Sequence, residues 1–277
     1  MKITSDAHVH TRFCDGRNTP AEMAEQALAL GYTGLGFSAH SPAPFDDTCP
    51  GIFGVEKEYI AAIAWLKKEY AGRLDILCGI EQDYEAPVQR QNYDYILGSV
   101  HYLPDKDGQL VAVDGSPEHM RQVFTQTFGG NETALVQAFY KATAENVRKY
   151  HPDIVGHFDL IVKHNQNNSL FNEDSETYKA IATKAMDAVI DETLAYGGII
   201  EINTGGVARG YRAAPYPAGF LLNRMAQRGA RIMLTSDSHA TTNLGFGFAQ
   251  ALTLVKQAGF KTVWVVKGSG FIEVPIE

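Results

Sequence analysis

Cysteine is scarce in this chain. Its 277 residues include three, at positions 14, 49 and 78, and none belongs to a C-x-x-C pair. So small a number argues against a disulfide framework and against a thiolate zinc site, and it is typical of proteins in a reducing compartment. We therefore expect a cytoplasmic protein.

Long apolar runs are also missing. No stretch approaches the roughly 20 apolar residues that cross a bilayer. The first residues, MKITSDAHVH, contain no apolar segment of the kind found in secretion signals. The sequence thus predicts neither a membrane span nor a cleaved leader.

Positive charge is in deficit, because 24 lysines and arginines face 32 aspartates and glutamates and leave a net charge of −8. An acidic surface argues against a nucleic-acid or anionic-membrane partner. It is compatible with a small anionic substrate, since bound metal ions can invert the field inside a pocket. Glycine-rich phosphate loops of the G-x-G-x-x-G or G-x-x-x-x-G-K-[ST] type are absent, so no nucleotide site of those kinds is predicted.

Short apolar strands alternate with amphipathic helices along the whole chain, which predicts one α/β domain over residues 1–277. Seven or eight such units favour a closed (β/α) barrel over an open doubly wound sheet. Three irregular segments, 41–53, 103–116 and 203–216, are candidate active-site loops. Strands are predicted over about 2–9, 32–38, 74–80, 93–100, 153–158, 197–203, 230–236 and 261–267, and helices over about 20–30, 54–71, 117–128, 132–150, 175–196, 217–228 and 241–258.

Polar side chains recur where these strands end, usually two residues apart, so that each pair shares one face of its strand. The carboxyl ends of parallel barrel strands open on one mouth, so these side chains are expected to converge. A single H-x-H is a weak signal, but seven strand ends with the same pattern predict a metal site. The residues are Asp6, His8 and His10; Ser38 and His40; Glu81 and Asp83; Ser99 and His101; His157 and Asp159; Glu201 and Asn203; and Asp237 and His239.

Imidazole and carboxylate ligands without thiolate suit zinc, iron(II) or manganese(II). One zinc ion takes about four ligands, and this chain offers nine candidates, so two or three metal ions with bridging carboxylates are expected. The candidate ligands are His8, His10, Asp15, His40, Glu81, His101, His157, Asp237 and His239.

The motifs that carry these residues resemble those of the polymerase and histidinol phosphatase (PHP) superfamily of metal-dependent phosphoesterases. The resemblance runs through DAHVH, FSAHSP, GIEQDY, GSVHYL, GHFDL, IEINTGG and TSDSH, in order along nearly the whole chain. It is nearest to the stand-alone L-histidinol-phosphate phosphatases of histidine biosynthesis. The resemblance implies a distorted (β/α)7 barrel, a trinuclear site and release of inorganic phosphate.

The same resemblance implies a ligand set for each metal. The first metal would be held by His8, His10, Glu81 and Asp237, the second by Glu81, His101 and His157, and the third by His40, His239 and one residue near the chain start. Many relatives carry a histidine six residues after the second histidine of H-x-H. Here that position is Gly16, and Asp15 comes one step earlier. Asp15 is therefore the candidate third-metal ligand.

A hydroxide that bridges the first two metals is the expected nucleophile toward phosphorus, and a third metal would bind phosphate oxygens. Asp237 and His239 are candidate catalytic residues, and Arg209 is the candidate phosphate clamp because guanidinium offers paired donors. Arg212 and Arg12 are rivals for that role. Glu201 and Asn203 are candidate contacts to the substrate ammonium or to a metal-bound water.

Several roles remain open at the level of sequence. Asp6, Asp83 and Asp159 lie two residues from candidate ligands, where a carboxylate often orients an imidazole. Aromatic residues of the predicted loops are candidates for the wall of an imidazole-sized pocket or for ordinary packing. Those aromatic residues are Phe13, Tyr102, Tyr211 and Tyr216.

Other functions are consistent with parts of the same pattern. Superfamily relatives act as nucleases or as nucleotide or phosphotyrosine phosphatases, although a nuclease should show a basic channel. A non-catalytic metal-stabilised binding module is a second alternative, and it should lack some ligands. An amidohydrolase-like barrel shares H-x-H but usually requires a carbamylated lysine, whose bridging place Glu81 would take. The oligomeric state is not legible from the sequence.

Overall fold

The computed structural model describes residues 2–276, and strands and helices alternate over most of it. An antiparallel hairpin of Tyr102–Pro104 and Leu110–Ala112 lies largely in the segment 103–116, which was predicted to be irregular. The strands are β1 (Ser5–Asp6), β2 (Gly34–His40), β3 (Asp75–Asp83), β4 (Tyr95–Ser99), β5 (Tyr102–Pro104), β6 (Leu110–Ala112), β7 (Ile154–Val155), β8 (Ile199–Asn203), β9 (Ile232–Thr235), β10 (Thr262–Lys267) and β11 (Gly270–Pro275). The helices are α1 (Pro20–Ala29), α2 (Glu56–Glu69), α3 (Pro117–Gln122), α4 (Glu132–Tyr150), α5 (Glu176–Tyr196), α6 (Gly205–Ala208), α7 (Gly219–Arg228) and α8 (Phe248–Ala258).

The main sheet has nine strands in the order β1-β2-β3-β4-β7-β8-β9-β10-β11, and the seven parallel strands from β1 to β9 in this order form the barrel wall. Within residues 2–276 the sheet does not close through a strand ladder; one isolated parallel bridge, between Val9 and Ser238, joins the segments that follow β1 and β9. There the His10 amide donates to the Ser238 carbonyl at 2.8 Å, and the Ser238 amide donates to the His8 carbonyl at 3.1 Å. The predicted distorted barrel of the PHP type is therefore confirmed, whereas the expectation of a closed barrel is not met.

Helix α1 begins as its sequence predicts. The Thr19 hydroxyl accepts from the Glu22 amide, the Glu22 carboxylate accepts from the Thr19 amide, and Pro20 occupies the first turn. These contacts satisfy backbone donors that the helix cannot pair internally. The helix that follows the first polar strand end therefore begins at Pro20.

Five predicted elements differ from the structure. The strands predicted over 2–9 and 153–158 are limited to Ser5–Asp6 and Ile154–Val155. The helix predicted over 241–258 begins only at Phe248, because Gly245 and Gly247 adopt left-handed conformations with φ of 68° and 74°. The helix predicted over 117–128 is α-helical to Gln122 and continues as a short π-helix over Val123–Thr127. The strand predicted over 261–267 is β10, which pairs with β9 but turns back as an antiparallel hairpin with β11.

Apolar side chains fill the barrel interior at the end away from the polar residues. The Tyr95 hydroxyl donates to the carbonyls of Ala7 at 2.6 Å and Phe37 at 3.0 Å. A Cβ at Gly79 would lie 2.2 Å from Cζ of Tyr95, so only glycine leaves room for the ring. The filling residues are Ala7, Leu77, Tyr95, Leu97, Ile154, Ile199, Met233 and Val266. The barrel is therefore open at the end where the polar strand ends lie.

Within residues 2–276, no helix is both long enough and apolar enough to cross a membrane.

Candidate metal centre

Glu81, at the mouth end of β3, lies at the centre of the polar cluster. Its Oε2 is 3.2 Å from Nε2 of His8, 3.3 Å from Nε2 of His10 and 3.1 Å from Nδ1 of His40. Its Oε1 is 2.9 Å from Nε2 of His157 and 3.4 Å from Nε2 of His101. The two oxygens of one carboxylate therefore face two separate sets of histidines, which is the geometry of a bridging ligand.

Asp237 completes the group around His8 and His10. Its Oδ1 is 3.6 Å from Nε2 of His8 and 3.3 Å from Nε2 of His10. The backbone of Asp237 is left-handed, with φ of 47°, a sparsely populated conformation that is concentrated at functional sites. This turn ends the strand and brings the carboxylate over the mouth.

Three buried polar atoms test whether a metal ion fits here. Nε2 of His8, Nε2 of His10 and Oε2 of Glu81 have no hydrogen-bond partner among residues 2–276. Buried polar atoms are almost always paired, because an unpaired one costs free energy. All three converge on the same point and all three are common zinc, iron or manganese ligands. The donor set therefore fits a divalent cation.

A further group lies at the rim. Asp15 Oδ2 is 2.9 Å from Nε2 of His239 and 3.6 Å from Nε2 of His40, and Asp15 Oδ1 is 3.4 Å from Nδ1 of His10. The side chain of Asp15 is 39% exposed, whereas those of Glu81 and His10 are fully buried. The structure thus brings Asp15 together with His40 and His239, the two residues that the resemblance assigns to a third metal.

The charges of the cluster hold its carboxylates ionised. Burial would raise the pKa of Glu81, but His8, His40 and His101 outweigh this effect and hold the pKa well below its usual range. Burial would likewise raise the pKa of Asp237, and Arg209 and His8 lower it further than burial raises it. Both side chains are therefore negatively charged at neutral pH.

Glu201 does not contact the cavity that a substrate would enter. It is fully buried, and its Oε2 accepts from Nδ1 of His8 at 2.9 Å and from the Thr235 hydroxyl at 2.7 Å. Its Oε1 accepts from the His157 amide at 2.5 Å and from the Asn203 side-chain amide at 2.8 Å. Every oxygen is thus engaged within the protein, which argues against the substrate contact expected for this residue.

Asn203 is fully buried as well, and its Oδ1 accepts from the Gly205 amide at 2.8 Å. This burial argues against a substrate contact for Asn203 as well.

The contact of Glu201 with Nδ1 of His8 leaves Nε2 of His8 free for a metal, as is usual for a ligating histidine. The period-two spacing correctly placed Glu201 on the inward face of its strand. It could not show that the side chain is fully buried below the mouth of the barrel.

The three aspartates expected to orient imidazoles behave differently. Asp83 Oδ2 accepts from the His101 amide at 2.6 Å and lies 3.4 Å from Nδ1 of the same residue, as expected. Asp6 instead accepts from the Ser236 hydroxyl and the His8 amide. Asp159 accepts from the Ala218 amide at 2.8 Å. The last two hold backbone segments together.

Arginine placement separates the candidate clamps. Arg209 borders the metal-centre cavity, and its guanidinium contacts Oδ2 of Asp237 at 2.7 Å and Nδ1 of His239 at 2.7 Å. Arg212 points elsewhere, because it pairs with both oxygens of Glu173 at 3.0 and 2.7 Å and donates to the Val162 carbonyl. The structure thus brings Arg209 to the site and argues against a substrate contact for Arg212.

Lys163 is a residue of the site that the strand-end pattern missed. It lies six residues beyond His157, in the turn after β7, and it borders the metal-centre cavity together with Arg17. Its Nζ contacts Oδ2 of Asp114 at 3.0 Å. No periodicity marks this lysine, because irregular backbone carries it to the mouth. Arg12, the remaining rival, is exposed outside this cavity.

The aromatic candidates divide in the same way. Tyr211 borders the metal-centre cavity and Tyr102 borders a second cavity beside it. Tyr216 is buried, and Phe13 packs edge-on against Tyr59.

A distorted (β/α)7 barrel with a carboxylate shared between two histidine sets defines a polynuclear metal enzyme. Residues 6–205 match the PHP domain. The chain belongs to the PHP domain family, and the family resemblance stated from its motifs is confirmed.

Similar proteins agree with this assignment over nearly the full chain. A protein of Deinococcus radiodurans named probable histidinol-phosphatase is 32% identical over 93% of this chain and 95% of its own. The histidinol-phosphatase of Bacillus subtilis is 28% identical over 88% of this chain and 96% of its own. The crystal structure of histidinol phosphate phosphatase from Lactococcus lactis, complexed with zinc, L-histidinol and phosphate, shares the fold, with a TM-score of 0.69, 19% identity and coverage of 97% and 98%.

Proposed function

We propose that this protein hydrolyses L-histidinol phosphate to L-histidinol and inorganic phosphate, a step of histidine biosynthesis, in the cytoplasm. The observation that carries the proposal is the carboxylate of Glu81, whose two oxygens face different histidine sets at the open end of a PHP barrel. The names of the similar full-length proteins support the choice of substrate. A small phosphorylated molecule is the expected partner, and neither nucleic acid nor a membrane is.

Two or three divalent ions, zinc, iron or manganese, would act as cofactors. His8, His10, Glu81 and Asp237 would hold the first, Glu81, His101 and His157 the second, and Asp15, His40 and His239 the third. When bound, such ions lower the pKa of water toward neutrality and offset the charge that gathers on the phosphoryl oxygens.

The protein itself supplies orientation and positive charge. Glu201 holds the tautomer and ring direction of His8 through its Nδ1 contact. Lys163 and Arg17 border the cavity with Arg209 and present cations to a phosphate group. Arg209 also fixes the Asp237 carboxylate at 2.7 Å, so we assign it a positioning role in addition to charge stabilisation.

The function is tested by metal analysis followed by a screen of phosphate release. The screen compares L-histidinol phosphate with other amino-alcohol phosphates, nucleotides and single-stranded DNA. We expect two or three metal equivalents per chain and the highest kcat/KM for L-histidinol phosphate. Release of mononucleotides from DNA without turnover of L-histidinol phosphate would identify a nuclease, and no phosphate release from any substrate by metal-loaded protein would identify a binding module.

The two arginines of the loop after β8 provide a matched pair of variants. We expect Arg209→Gln to lower kcat/KM about 100-fold or more, because it removes cationic charge next to the phosphate and frees Asp237. We expect Arg212→Gln to change kcat/KM only a few-fold and to lower the Tm instead, since it breaks the Glu173 pair. Steady-state kinetics and thermal unfolding measure both; equal kinetic losses would contradict the assignment.

A further inference from the structure

A second cavity, here called the acidic recess, opens from the metal centre. Its volume is about 240 Å³, beside about 300 Å³ for the metal-centre cavity. The two cavities share Asp15, His40, His101 and Asp114 as wall residues. A molecule that reacts at the metal centre therefore has room to extend into the recess without leaving the protein.

Carboxylates line both cavities, but the two cavities differ in their cationic side chains. Arg17, Lys163 and Arg209 line the metal-centre cavity, whereas no lysine or arginine of residues 2–276 lines the recess. Apart from the residues shared with the metal centre, the recess wall carries the carboxylates of Asp46 and Asp83. This asymmetry suits a ligand with an anionic and a cationic end.

Asp46 is the recess carboxylate whose charge no protein cation balances. Asp83 is engaged with His101, and Asp114 is paired with Lys163. Asp46 forms no ion pair within residues 2–276; it accepts from the Thr48 amide at 2.7 Å, the Thr48 hydroxyl at 2.6 Å, the Cys49 amide at 3.0 Å and the Tyr102 hydroxyl at 2.5 Å. Burial raises its pKa, but the hydrogen bonds from Thr48 and Tyr102 outweigh this, so Asp46 is ionised at neutral pH.

Tyr102 adds an aromatic surface beside this charge. The ring of Phe45 packs edge-on against it, with centroids 5.0 Å apart and planes at 87°, and the hydroxyl contact with Asp46 fixes its other end. A fixed tyrosine ring next to a carboxylate favours a flat, nitrogen-containing cation.

We propose that the acidic recess binds the cationic end of the substrate, with its imidazole against Tyr102 and Asp46, while the phosphate lies in the metal-centre cavity. This inference rests on the proposed function. In L-histidinol phosphate the ammonium group lies one carbon from the ester carbon, and the ring lies one methylene beyond that. The ammonium therefore comes nearest Asp114, which lines both cavities, and the ring reaches Asp46.

The adjacent aspartates 46 and 47 allow a matched test. Asp47 is exposed and does not line the recess, so Asp47→Asn removes the same charge one residue away. The readout is the ratio of kcat/KM for L-histidinol phosphate to that for 4-nitrophenyl phosphate, which has no cationic end. We expect Asp46→Asn to lower this ratio about 10- to 100-fold, mainly through KM, as loss of a hydrogen bond to a charged group does. Asp47→Asn should leave the ratio within about two-fold of the wild type.

Binding of the product gives a second measurement. Titration calorimetry with L-histidinol should show weaker binding to metal-loaded Asp46→Asn than to Asp47→Asn. If Asp46→Asn lowers the Tm strongly, Tyr102→Phe replaces it, since that change keeps the charge but removes one of its donors, and the ratio should still fall a few-fold.

Equal ratios for the two aspartate variants, with turnover of L-histidinol phosphate intact, would overturn the recess assignment and leave the proposed function standing. Failure of the wild-type protein to hydrolyse L-histidinol phosphate would instead overturn the proposed function. In that case the recess assignment is decided by comparing 2-(imidazol-4-yl)ethyl phosphate with 2-phenylethyl phosphate; no preference for the imidazole substrate would overturn it as well.

Discussion

Glu81→Gln is expected to lower phosphate release by at least about 10³-fold and to reduce the bound metal. The change keeps the shape of the side chain but removes the charge that faces His8, His10 and His40 through one oxygen and His101 and His157 through the other. An amide offers one oxygen and no charge, so it cannot serve two metal ions in the same way. Elemental analysis of folded protein and single-turnover kinetics measure the two effects.

The control for this experiment is Glu69→Gln, the same substitution on the exposed surface of α2. It should retain the metal content and the rate of the wild type. If Glu81→Gln kept a full complement of metal and more than a tenth of the wild-type rate, Glu81 would not bridge two metals, and the assignment of the centre would fail.

Asp15→Ala is expected to lower the bound metal from about three equivalents to two and to reduce turnover severely. Asp15 contributes a carboxylate 2.9 Å from His239 and 3.6 Å from His40, and no other carboxylate of residues 2–276 belongs to the group formed by His10, His40 and His239. Alanine removes the carboxylate that faces His40 and His239 from the rim. Metal content should therefore fall even before activity is measured.

Asp15→Asn separates charge from coordination, because it keeps an oxygen donor and should retain part of the third equivalent. Asp174→Ala, an exposed aspartate far along the chain from the site residues, is the surface control. Unchanged stoichiometry and rate in Asp15→Ala would show that Asp15 is an ordinary loop residue and that the centre holds two metals.

The convergence of the polar strand ends was predictable because it depends only on local periodicity and on parallel pairing. Residues two apart share a face, and parallel strands present their carboxyl ends together. His8, His40, Glu81, His101, His157 and Asp237 come from different strand ends, and the structure brings them into mutual contact. The capping box at Thr19 and Glu22 was predictable for the same reason, since its partners lie three residues apart.

The sequence by itself determined the fold class, the end of the barrel that carries the site and the residue types that converge there. Only the tertiary structure decided that Glu201 accepts a hydrogen bond from Nδ1 of His8 and that Lys163 borders the metal-centre cavity. It also decided that Arg212 pairs with Glu173 and does not line that cavity. Register fixes the face on which a side chain lies, but depth along the barrel axis and the path of a loop depend on contacts between residues far apart in the chain. For this reason the candidate metal ligands could be predicted from spacing, whereas the surroundings of Glu201, Arg212 and Lys163 could not.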